Sequence, residues 1–158
     1  MTIKIVNGNL LESNEKYIAH ICNCVTNRSA SLAKDIFAKY PYADIYSNRV
    51  EPSKPGTIEV LGNGKDKRYI INMLGQYYPG ISKYPNSNID GIKAREKYFH
   101  QCLLRIAKIS NIESIAFPFR VGCGIAGGNW DHYLVIIENF AKYIYDTQKA
   151  ITLIYKLS

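Results

Sequence analysis

The 158-residue chain predicts a single α/β domain spanning residues 1–158, built as three α/β/α layers around a central mixed sheet. Three observations carry that expectation. Apolar runs of strand length alternate with segments of helical period along the whole chain. One early run, KYIAHICN, is apolar almost throughout, as a strand covered on both faces must be. GTIEVLG and RYIINML stand either side of the turn-rich GNGKDK, which predicts a hairpin and hence an antiparallel member of the sheet.

In chain order, TIKIV gives a first strand and KYIAHICN a second, buried one. SLAKDIFAKY reads as a helix capped by Ser29 or Ser31, with Leu32, Ile36 and Tyr40 on one face and Pro41 ending it. YADIYSNR allows one more helical turn before the hairpin. The stretch QYYPGISKYPNSNID is a long loop rich in Tyr, Pro, Gly and Asn, the kind that in compact domains often carries function. DGIKAREKYFHQCLLRIAKI then predicts a helix with Ile92, Phe99, Cys102, Leu103 and Ile106 on one stripe. Strand SIAFPF, a glycine-rich loop, a helix with Trp130, Leu134, Ile137, Phe140 and Ile144 inward, and strand AITLIYKL complete the chain.

No apolar run is long enough to span a membrane, and the start turns polar too soon for a secretory signal. The four cysteines lack the spacing of a disulfide framework, so a reduced, cytoplasmic protein is expected. The net charge of +7 invites an anionic partner. Its Lys and Arg are scattered among acids, however, and form no basic stripe interleaved with aromatics. Nucleic acid is therefore the less favoured partner. No cofactor is expected, the oligomeric state is not legible, and no membrane partner is implied.

The densest signal is RVGCGIAGGNW, residues 120–130, where Gly122, Gly124, Gly127 and Gly128 lie between a strand and a helix. Backbone amides at such a junction favour anions, so the cluster predicts a phosphate-type ligand rather than a plain tight turn. Gly122, Gly124 and Gly127 also spell the dinucleotide-binding pattern. That pattern belongs on the first strand of a nucleotide fold with an acid about twenty residues on. Here a single strand follows, so only the phosphate cradle is retained. At the exit of the second strand, Asn23 stands at a strand tip, where open α/β sheets hold ligands, and the small residues Ser29, Ala30 and Ser31 lead into the helix opened by Leu32. Alternation puts His20, Cys22 and Cys24 on one face, with Ile21 and Asn23 on the other. Imidazole and two thiolates suit zinc, but an extended strand spreads them too far apart to share one ion, so no metal is expected.

Gly8-Asn9-Leu10-Leu11 after the first strand, the Asn followed by a small-residue loop, and the late glycine loop come in the order found in macro domains. The chain resembles that family, whose α/β/α module binds ADP-ribose, over nearly its full length. It looks most like the branch holding the terminal ADP-ribose protein glycohydrolase and the ADP-ribose-1″-phosphate phosphatase. The resemblance implies ADP-ribose or an ADP-ribosylated macromolecule as partner. It places Asn9 and Leu10 against the adenine and Asn23 on the distal ribose. Ser29, Ala30, Ser31 and Leu32 would line the first loop, and Gly122, Cys123, Gly124, Ile125, Ala126 and Gly127 the diphosphate loop.

The resemblance also implies hydrolysis at the distal ribose, either de-ADP-ribosylation or removal of a 1″-phosphate. Here the chain departs from its relatives. Ala33 stands where one hydrolase class has an Asp, and Gln76 and Ala126 where the terminal glycohydrolase has Lys and Asp. The remaining catalytic candidates are His20 for proton transfer, Asn23 for holding the ribose or its water, and Asp131 at the start of the last helix. The alternatives are a non-catalytic reader of ADP-ribose and a basic RNA- or poly(ADP-ribose)-binding protein.

Overall fold

A computed structural model describes residues 3–123 and 126–157. Six strands form one sheet: β1 (Ile3–Asn7), β2 (Tyr17–Asn23), β3 (Ile58–Leu61), β4 (Tyr69–Gln76), β5 (Ser114–Pro118) and β6 (Ile151–Lys156). Their spatial order is β1-β6-β5-β2-β4-β3. All neighbours are parallel except β3 and β4, the expected hairpin, in which Ile58 faces Met73 and Leu61 faces Ile70. β6 inserts between β1 and β5, which leaves β1 at one edge of the sheet and β3 at the other.

Helix α1 (Ser31–Lys39) covers one face, and α2 (Ile92–Ile106) and α3 (Trp130–Gln148) cover the other. Short 3-10 turns stand at Leu10–Glu12 and Pro41–Ala43, the second on the segment expected to hold an extra helical turn. β2 and β4 feed both cores, as their apolar runs require. Ala19, Ile71 and Met73 pack toward α2 and α3, while Ile18, Ile70 and Leu74 pack toward α1. Among the described residues no helix is long and apolar enough to cross a membrane.

Several side-chain expectations need correction. The N-cap of α1 is Ala30, which has no side chain to bond; Ser31 is already inside the helix, and Ser29 precedes the cap. Its buried pair is Ile36 and Phe37 rather than the full Leu32–Ile36–Tyr40 row, because the helix is short and Leu32 and Tyr40 lie at its two ends, where they are only half-buried. In α2, Ile92 is 45% exposed, and the fully inward residue of the first turns is Arg95. In α3 the inward residue of the first turn is Tyr133, stacked on Phe99 at 4.6 Å, with Trp130 and Leu134 only half-buried.

Candidate functional site

Parallel β2 and β5 pair only at Tyr17–Ile115 and Ile18–Ala116. Beyond that point β5 ends in Pro118, which has no N–H to offer a neighbour, and the two strands carry on unpaired. A cavity of about 410 Å³ lies at this parting, at the C-terminal ends of β2, β4 and β5. Three loops wall it: Arg28 and Ala30–Ala33 after β2, Pro79 and Gly80 after β4, and Phe119–Gly122 with Ala126 after β5. This is the crevice where connections leave a parallel sheet toward opposite faces, the usual ligand position in such folds.

The floor is a buried polar chain. Asn72 Nδ2 donates to Ala43 O at 2.8 Å, so its Oδ1 accepts from His20 Nε2 at 2.5 Å. His20 Nε2 thus carries the proton, and Nδ1 is left as a lone pair with no partner among the described residues. The imidazole is 1% exposed, and burial lowers its pKa to about 4, so it is neutral at pH 7. Cys22 Sγ lies 3.7 Å from the same Nε2, and burial raises its thiol pKa well above the ordinary range.

A register shift between Cys22 and Asn23 breaks the alternation at the tip of β2. Asn23 therefore turns toward Tyr46, whose hydroxyl oxygen accepts from Asn23 N at 2.9 Å and from Nδ2 at 3.2 Å. Asn23 Oδ1 accepts from Val25 N and Thr26 N, shaping the turn into the first loop. Arg49 staples that loop from outside: it donates to Asn23 O and Thr26 O and stacks over Tyr46 at 5.0 Å.

The loop of residues 77–91 is held to the site by one guanidinium. Arg95 pairs with Asp90 through Nη2–Oδ2 at 2.6 Å and Nε–Oδ1 at 3.0 Å. It also donates to Tyr78 O, to Gly80 O and, across the gap, to Ala126 O in the glycine loop. Asp90 Oδ1 accepts from Tyr77 N, and Ile81 packs where a side chain on Gly127 would reach. In the glycine loop, Gly122 has φ +74°, and a Cβ there would lie 2.6 Å from the Tyr133 ring. A Cβ on Gly128 would lie 2.5 Å from Gly122 O, so the loop closes on itself by backbone contact.

The expected site residues fall into distinct groups. His20, Asn23, Ala30, Ser31, Leu32, Gly122 and Ala126 line the cavity, as does Gln76, whose Nε2 donates to Tyr78 O. Ser29, Cys123, Gly127 and Asp131 lie outside its lining. Cys123 is buried, with its thiol pushed up to about 11, and Asp131 is exposed in the first turn of α3. Asn9 caps the first 3-10 turn through Leu11 N, and Leu10 packs into the core beneath α1; neither borders the cavity. Gly124 and Ile125 lie outside the described residues. Sequence reading missed Arg28, Tyr46, Arg95 and Arg120. A signal for the cavity itself was present in the proline of SIAFPF.

Six strands in this order, sandwiched between helices with a cleft at the β2–β5 parting, make the macrodomain fold. No protein-family model matches the chain. The chain superposes on the macrodomain of Mycobacterium tuberculosis DarG with a TM-score of 0.71 at 21% identity, covering 99% of this chain and 98% of that one. The Thermus aquaticus DarG macrodomain is similar, at TM-score 0.70, 20% identity and the same coverage. A Trypanosoma brucei macrodomain solved in complex with ADP-ribose matches 99% of this chain and 64% of its own, at TM-score 0.68 and 12% identity. In sequence, the chain is 23% identical over 155 residues to an uncharacterised 17.5 kDa protein from the tk-vs intergenic region of Enterobacteria phage T4, covering 90% of this chain and 92% of that protein.

Proposed function

We propose that the chain binds ADP-ribose in the cavity between β2 and β5. The observation that carries this reading is the lining itself: among the described residues it holds two arginines, backbone-rich small-residue loops and no carboxylate. Such a lining attracts an anion and offers amides to wrap it. The diphosphate lies on the glycine loop, and the distal ribose lies toward Asn23 and His20. The macrodomain fold supports the ligand class, since one neighbour of that fold was solved with ADP-ribose. Calorimetry with ADP-ribose, AMP and NAD tests it. Saturable ADP-ribose binding tighter than AMP is the expected result, and binding no tighter than AMP would overturn the reading.

Hydrolysis at the distal ribose is the second reading, and it is favoured by the Nδ1 of His20, which has no partner among the described residues. A neutral imidazole with a bare lone pair accepts a proton from a hydroxyl or water and returns it to a leaving group. Its pKa of about 4 makes it a weak base, and the described lining offers no carboxylate to assist. Binding without turnover is therefore the better supported activity. ADP-ribose-1″-phosphate and an ADP-ribosylated protein are the substrates to assay. If His20 catalyses, His20→Ala abolishes turnover and leaves ADP-ribose affinity in place; equal turnover by both proteins removes His20 from the mechanism.

A further inference from the structure

The chain has six arginines. Four are tied to protein acceptors: Arg49 to Asn23 O and Thr26 O, Arg68 to Glu15 O and Ser13 Oγ, Arg95 to Asp90, and Arg105 to Gly56 O. The remaining two, Arg28 and Arg120, are exposed and make no side-chain hydrogen bond or ion pair among the described residues. Both line the cavity, from different walls: Arg28 on the loop after β2 and Arg120 on the loop after β5. Arg120 moreover sits at φ +59°, in the left-handed region that a residue with a side chain rarely adopts. Resting on the reading that the cavity takes a diphosphate, we propose that Arg28 and Arg120 form a two-sided clamp on the ligand's phosphates, one guanidinium to each.

Charge and chemistry fit the assignment. A diphosphate diester bears one negative charge on each phosphate, and this cavity offers two cations with no carboxylate in the described lining to oppose them. Guanidinium is the side-chain group whose planar fork matches two phosphate oxygens at once. The first loop runs through Ser29 and Ala30 into α1, which opens with Ser31, and side chains there keep its amides at a greater distance than glycines would. The clamp supplies from side chains the anion recognition that this loop's backbone gives up. The ligands selected are accordingly nucleotides with a diphosphate bridge, and those with one phosphate are disfavoured.

The test titrates wild type, Arg28→Gln, Arg120→Gln and the double variant with two probes, ADP-ribose and inorganic pyrophosphate, at low and at moderate salt. Each single substitution is expected to weaken both probes about tenfold, the worth of one charge-assisted bond, and the double variant should lose pyrophosphate altogether. Salt should weaken wild-type binding and scarcely affect what the double variant retains. Arg28→Lys and Arg120→Lys should recover only part of the affinity, because an ammonium cannot make the bidentate contact. Circular dichroism and melting temperature confirm that each variant folds. Wild-type pyrophosphate binding that is absent, or that matches the double variant, overturns the clamp. Pyrophosphate binding that requires both arginines while ADP-ribose binds no tighter than AMP supports the clamp and overturns the ADP-ribose reading alone.

Discussion

His20 Nε2–H donates a hydrogen bond to Asn72 Oδ1 at 2.5 Å, on adjacent strands and in direct register. The hydrogen bond fixes the tautomer, while burial beside Phe37 and Cys22 keeps the imidazole neutral against the opposing pull of that bond. The folded pKa of about 4 lies below the unfolded value of 6.5, so the unfolded chain binds more protons between those values. Stability is therefore complete above pH 6.5 and is lost as pH falls toward 4, by about 3 kcal/mol. Urea melts across that window should show the loss in wild type and a flatter profile in His20→Gln. Parallel profiles would place the titrating group elsewhere.

Asp90 and Arg95 predict a different kind of loss. Both side chains are buried, at 8% and 6% exposure, so truncating one leaves the other as an uncompensated charge. Asp90→Ala should cost about 3–5 kcal/mol in a denaturant melt. Replacing both by apolar residues should recover part of it. Because Arg95 also holds Gly80 O and Ala126 O, the double variant should keep its sheet yet bind ADP-ribose more weakly than wild type.

The order of strands and helices was legible because hydrophobic period is a local property, and here each run is bounded by clear turn residues. The insertion of β6 between β1 and β5 was not, since parallel strand order is set by crossovers that no local window records. Arg95 escaped notice for a similar reason. It occupies an apolar stripe position, and only the fold reveals that Asp90 and three loop carbonyls converge on it. The same holds for Arg28 and Arg120, visible as residues but set apart by having no side-chain partner among the described residues. Asn9 and Leu10 show the reverse limit, a motif whose side chains are already engaged in a cap and a core.

Tyr46→Phe isolates the support of Asn23. The lost hydroxyl leaves Asn23 N buried without its acceptor, at a cost of about 1–3 kcal/mol. Faster amide exchange at Asn23 and Thr26, with the exchange of β4 unchanged, would locate the damage in the first loop. Uniformly faster exchange would point to a general core defect instead.

Gly128→Ala tests the shape of the glycine loop. The added Cβ would meet Gly122 O at 2.5 Å, a backbone atom that cannot rotate away, so the loop must shift. ADP-ribose affinity should fall on the order of tenfold, as for one lost bond to a charged group, with little change in the far-ultraviolet spectrum. Unchanged affinity would mean that the diphosphate does not rest on this loop.

Arg120→Gly should move stability and binding in opposite directions. Glycine adopts φ +59° freely, whereas arginine there costs about 1 kcal/mol of backbone strain, so the variant should melt about 3 °C higher. The same change deletes one arm of the proposed clamp and should weaken ADP-ribose binding about tenfold. A purely structural role for Arg120 predicts a higher melting temperature with unchanged affinity. Scanning calorimetry and titration on one preparation distinguish the two, because general unfolding would lower both quantities together and only a strained ligand-binding residue would separate them.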